Sequence, residues 1–285
     1  MTRSSRTVRV RYSLTKTPLA RQHQNTRFVA SPRRVKAIPW DRFERSRYPL
    51  AALELATHAM KGLAGGEYGA VDAFARVASA LARNGVPFDL VAAAAQIPAD
   101  EIRHAEYALR MASLYAGQEV NVEMDRSAFE APWNEPIDME ELDLMMLQLP
   151  TISETLAAAL IDGCRRRACD PVAKALFSTI TSDEVHHLRL GWYYFAWREP
   201  QWTRPQRQRV ADAAGEAIQA IEQQFWYGRD APPGSKRAAA ALGVLDSRTQ
   251  RSIVARVLRE ELVPGLDGLG LGASHAWRSR PRPVA

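Results

Sequence analysis

Cysteine is nearly absent: the 285 residues hold two, Cys164 and Cys169, in one segment. That is too few for a disulfide framework, and it leaves no four-sulfur module of the rubredoxin or zinc-ribbon kind. Both thiols are expected to be buried small apolar groups, and the expected setting is a reducing cytoplasm. No apolar run reaches the roughly 18 to 20 residues that cross a bilayer, and the N-terminus has no apolar leader, so neither a membrane span nor Sec export is expected. Alternating β-branched runs are missing, as are a flavin motif and a glycine-rich dinucleotide fingerprint. With 46% hydrophobic and 25% charged residues, the composition excludes collagenous, coiled-coil and wholly disordered chains.

Acidic residues are scarce at one end only. Residues 1–47 set thirteen Lys and Arg against Asp41 and Glu44, while the rest of the chain is net acidic, for a formal total of +6. This segment reads as a basic arm, flexible or draped on the surface. A solvated tail, a docking element for an acidic carrier protein, a nucleic-acid contact and an organelle transit peptide all fit it, nucleic acid and transit peptide less well.

What the chain has in quantity is Ala, Leu, Arg and Glu, with apolar residues at three- and four-residue steps. These predict an all-α protein with helices at about 50–84, 88–116, 136–168, 171–199 and 206–227, and a further one around 247–262. Breaks fall at Asn84-Gly85, Gly117, Asp170-Pro171 and Glu199-Pro200, and an interruption of the first helix is expected at Gly65-Gly66. After Pro232-Pro233-Gly234 the pattern weakens, and the last twenty residues are expected to pack loosely.

Two segments read Asp-Glu-x-x-His: Asp100-Glu101-Ile102-Arg103-His104 and Asp183-Glu184-Val185-His186-His187. One Glu-x-x-His carries little information; the pair, each with its preceding Asp, is not a coincidence of composition. Residues three apart share a helix face, so a carboxylate oxygen and an imidazole nitrogen can meet one cation without bending the backbone. Both motifs lie on apolar stripes, Ile97-Glu101-His104-Ala108-Met111-Tyr115 and Phe177-Ile180-Glu184-His187-Gly191-Tyr194, and so point inward. An uncompensated carboxylate there would cost several kcal/mol. The preceding helices each add one carboxylate on a similar stripe: Glu67, with Glu54 as the alternative, and Glu154, for which Glu140 and Glu141 fit the spacing less well. His186 is turned about 100° from His187 and is not expected to be a ligand. His58 is assigned no role, and Tyr115, Tyr194 and Trp192 read as core packing.

Four Glu and two His in this order resemble the ferritin-like di-metal carboxylate superfamily, which includes bacterioferritins, rubrerythrins, ribonucleotide reductase small subunits, soluble hydroxylases, N-oxygenases and acyl-carrier-protein desaturases. The resemblance covers about residues 50–200. It implies an antiparallel four-helix bundle with extra C-terminal helices and the basic arm, divided as 1–47 (arm), 48–228 (di-metal bundle) and 229–285 (C-terminal helix and tail packed on the bundle). It implies that Glu67, Glu101, His104, Glu154, Glu184 and His187 hold two iron ions, or manganese or a mixed Mn/Fe pair, bridged by Glu101 and Glu184. Asp100 and Asp183 would each orient the imidazole of the opposite motif.

The activity implied is oxidation of a small or carrier-tethered organic substrate by O2: hydroxylation, desaturation or N-oxygenation. Electrons would come from an external reductase or ferredoxin, and a second copy of the chain is a candidate partner. The alternatives are a ferroxidase or iron-binding protein and a manganese catalase or peroxidase. The missing four-cysteine module disfavours a rubrerythrin. N-oxygenases usually carry a His four residues before the second motif's Glu, and here that position is Ile180. A substrate cavity lined by Ala, Val and Leu is expected.

Overall fold

The computed structural model describes residues 38–122, 137–224 and 230–280, with side chains in 222–224 left aside. The arm up to residue 37 and the last five residues lie outside the described residues. Every regular element among the described residues is helical: α1 (Leu50–Arg83), α2 (Phe88–Ala116), α3 (Met139–Arg167), α4 (Pro171–Arg198), α5 (Arg204–Gln224), α6 (Lys236–Ala241), α7 (Ser247–Val257), α8 (Val263–Gly268) and α9 (Ala273–Ser279). Short 3-10 turns at Trp40–Arg42 and Arg45–Arg47 lead into α1.

The boundaries follow turn chemistry. Asp138, Asp170 and Asp246 accept backbone N–H bonds at the starts of α3, α4 and α7, and Pro171 takes the first position of α4, where no N–H is needed. Gly117 closes α2 at φ 75°, a left-handed conformation that also lets Arg45 Nε reach the Tyr115 carbonyl at 3.0 Å. The expected break at Gly65-Gly66 does not occur: α1 runs unbroken from Leu50 to Arg83. Two glycines lower helix propensity by about 1 kcal/mol each, too little to end a helix packed along the whole of α2.

The short connections after α1 and α3 fold each pair back on itself, and α2 and α3 both pack against α4. α7 lies on α3, and α9 on α5. Contrary to the loose tail expected, residues 263–279 form two short helices whose Leu266 and Ala273 are fully buried. By length and mean hydropathy α3 could cross a membrane, which the sequence reading denied to every segment. Here it is a mostly buried core helix that carries Asp143, Glu154 and Asp162.

Inside α3 the segment Leu147–Ser153 is a π-helix. Pro150 has no N–H to give an ordinary helical bond, and Thr151 Oγ1 donates to the Met146 carbonyl at 2.8 Å. The wide turn is pressed against Gly191 of α4, where a Cβ would come within 2.7 Å of the Thr151 backbone nitrogen and 2.9 Å of the Pro150 carbonyl carbon. Gly191 therefore permits a close approach that no other residue allows.

The apolar interior has two large clusters and a small third one around Ala52, Ala231 and Ala239, and each of the four long helices passes from one large cluster to the other. On α1 the crossing lies between Met60 and Phe74, on α2 between Ile97 and Met111, on α3 between Leu156 and Ile161, and on α4 between Ile180 and Leu190. On α1, α2 and α4 the sequence-derived acidic residues sit in that gap, and Glu154 sits two residues before it on α3.

Candidate metal centre

The six residues singled out in the sequence meet at this level. Glu67, Glu101, His104 and Glu184 place one potential ligand atom each within 4.8 Å of one another, and Glu101, Glu154, Glu184 and His187 do the same. Glu101 and Glu184 belong to both sets. His104 Nδ1 lies 3.3 Å from Glu184, 3.6 Å from Glu101 and 3.8 Å from Glu67. His187 Nδ1 lies 3.1 Å from Glu101, 3.6 Å from Glu154 and 3.8 Å from Glu184. Glu101, His104, Glu184 and His187 are all but inaccessible to solvent.

Opposite each Nδ1, the imidazole Nε2 faces an aspartate of the other motif: His104 meets Asp183 at 3.2 Å and His187 meets Asp100 at 3.3 Å. An Nε2–H donated to a carboxylate leaves the Nδ1 lone pair free toward the cluster, the tautomer that a cation requires. Arg103 joins the two arrangements by donating through Nη2 to Asp100 at 2.5 Å and to Asp183 at 2.7 Å. The second motif has His186 where the first has Arg103, so one guanidinium serves both aspartates. The sequence reading missed Arg103; its i+3 spacing from Asp100 was the available signal.

The donor set fits divalent cations. Glu101 Oε2, Glu184 Oε2 and both Nδ1 atoms are buried without a hydrogen-bond partner, and three buried carboxylates and the partly buried Glu67 face one another with no Lys or Arg among them. Such groups are stable only with protons or metal ions between them. Without cations, burial pushes the Glu154 carboxyl up to about 8 and that of Glu67 well above the usual carboxylate range. For both imidazoles burial acts against the charged form, but the aspartate and glutamates around them outweigh it and raise the proton affinity.

Metal binding must displace these protons, so affinity is expected to climb as pH rises through about 8, with protons released on binding. A carboxyl raised in the folded state makes the metal-free fold lose stability as pH climbs from the ordinary carboxylate range through that value. The gain in melting temperature on adding Mn2+ should therefore widen from pH 6 to pH 8. Calorimetric titration in buffers of different ionisation heat would count the protons, and a flat profile would contradict the assignment.

The crossed wiring gives a second expectation. Asp100→Ala should weaken the ion beside His187, and Asp183→Ala the one beside His104, each about 10–100-fold. Mn2+ titrations followed by electron paramagnetic resonance would read one site altered at a time; equal weakening of both sites by either change would speak against it.

The other sequence candidates lie elsewhere. Glu54 and His58 are exposed on a groove of about 350 Å³ at the start of α1, and Glu140 and Glu141 pair with Arg209. That groove and a second of about 320 Å³ are lined by none of the six, so the expected apolar cavity is not found in either. Tyr115 and Tyr194 are fully buried, Trp192 is half-buried against Gly265, and Cys164 is partly buried. Cys169 is exposed, contrary to expectation, because it lies in the turn between α3 and α4. Compared with models of protein families, with curated proteins and with solved structures, the chain matches none of them.

Proposed function

We propose that this chain is a ferritin-like, non-haem di-iron enzyme that uses O2 to oxidise a small or carrier-tethered organic substrate. The observation that carries the reading is the pair of buried ligand sets sharing Glu101 and Glu184. Mixed carboxylate and imidazole donors suit iron or manganese, being too oxygen-rich for structural zinc and too hard for copper(I). The paired helices α1–α2 and α3–α4, each giving carboxylates at one level, support the reading of a four-helix bundle of that superfamily.

Two bound iron ions would supply electrons for reducing dioxygen. The chain's own part is to hold and insulate them. Glu67 with His104 and Glu154 with His187 would close the two ends of the centre, with Glu101 and Glu184 between. With metal bound, Asp100 and Asp183, tied together by Arg103, would hold both imidazoles in the ligating tautomer. Buried neighbours on the same stripes, such as Ile97, Ala108 and Ile180, keep bulk water from the carboxylates.

Iron quantification should find near two atoms per chain, and the reduced protein should consume O2 with turnover only when a reductant and an organic substrate are present. Mineral accumulating without substrate would instead mark a ferroxidase, and O2 released from peroxide a manganese catalase. Salt-sensitive nucleic-acid binding that survives loss of the metal ligands would mark a binding protein.

A further inference from the structure

We propose that metal ions reach the buried cluster by local opening of α1 between Gly62 and Ala73; this rests on the metal-centre reading above. Between Ala64 and Phe74, nine consecutive positions of α1 include no fully buried residue, although the helix is well buried before and after them. That stretch holds Gly65, Gly66 and Gly69, and Gly62 lies two residues before Ala64. A glycine inside a helix normally answers to a left-handed backbone or to a close approach. None of these four has positive φ. A Cβ on Gly62 or Gly66 would meet nothing within 4 Å, and on Gly65 it would only touch Val122 at an ordinary 3.5 Å.

What the glycines do is weaken the helix. Partial exposure at every position together with low propensity marks the segment as the part of the wall that opens most readily. Directly inside it lie Glu67 and, 3.8 Å from its carboxylate, the unpartnered buried Nδ1 of His104. The motifs on α2 and α4 are closed at both ends: Ile97 and Ala108 flank the one, Ile180 and Leu190 the other, all at 3% exposure or less. Opening there would tear the core.

The test is the double variant Gly62→Ala/Gly66→Ala in the full chain, stripped of metal and mixed with Co2+ alone, its uptake followed by visible absorption. Each alanine should disfavour opening about fivefold, so uptake should slow roughly 30-fold, with unchanged final stoichiometry and amide exchange in 62–73 slowed by a similar factor. Gly268→Ala, in α8 and also with open space around its Cβ, should leave the uptake rate alone. Unchanged uptake in a double variant whose α1 amides do exchange more slowly would overturn the proposal. So would a change in oligomeric state, which would make the glycine face a contact between copies. A wild-type chain that binds no Co2+ at all would remove the metal-centre reading itself, and this inference with it.

Discussion

Glu101→Ala is expected to take the iron content from near two atoms per chain to near none, because its carboxylate belongs to both ligand sets. Its two oxygens face different imidazoles, Oε1 toward His187 and Oε2 toward His104, so no single neighbour can replace it. The paired measurement is stability. Burial alone would raise its proton affinity, but the protonated groups crowded beside it, His104, His187 and Glu67, outweigh that and hold the carboxylate well below the usual range. Without metal it is thus a buried charge kept in place by protons on its neighbours. Removing it should lower the metal-free melting temperature, because the protons on His104 and His187 lose their counter-charge, while the gain on adding metal, about 2.7 kcal/mol at a hundredfold excess over Kd for the wild type, disappears. A variant that lost both iron and its metal-free fold would point to a structural role, and one that kept two iron atoms would remove Glu101 from the centre. His187→Ala, which strips the only imidazole from the second set, should lose iron as well.

The candidate site was more legible in the sequence than the fold that carries it. Spacing of three on a helix is a local property, so Glu101 with His104 and Glu184 with His187 could be read without knowing how the helices pack. Their inward direction followed from Ile97, Ala108, Ile180 and Gly191 on the same stripes. Glu154 was read less cleanly for a reason now visible. It directly follows the π segment 147–153, where an extra residue per turn rotates everything after it, and no periodicity scan at 3.6 anticipates that. Arg103 was missed because an Arg near an Asp on a helix is usually a solvated pair, and only the approach of α4 brings Asp183 to its other side. Gly65-Gly66 and the C-terminal tail were misjudged in opposite directions. In both cases contacts with distant parts of the chain, α2 and α5, decided what propensity left open.

Away from the cluster, Asp143→Ala should be the most destabilising single change in the α3–α4 pair. Its carboxylate is fully buried and accepts from Tyr194 Oη at 2.6 Å, Arg198 Nε at 3.1 Å and Trp202 Nε1 at 2.8 Å. Truncation leaves the Arg198 guanidinium, 5% exposed, as a buried charge without its counter-ion, and leaves two further donors short of an acceptor. The expected loss is about 3–5 kcal/mol, or on the order of 10 °C in melting temperature. The consequence reaches the metal centre, since Asp143 lies eleven residues before Glu154 on α3 and Tyr194 seven after His187 on α4. The network thus pins the register that sets Glu154 3.6 Å from His187. Pairing Asp143→Leu with Arg198→Met should recover much of the stability, because the orphaned charge goes too, whereas Tyr194→Phe alone should cost about 1 kcal/mol. Denaturant melts of the wild type and these three variants make the comparison. A loss under about 1 kcal/mol for Asp143→Ala, or a double variant no better than the single, would mean that water reaches Arg198 and that the clamp does not set the register.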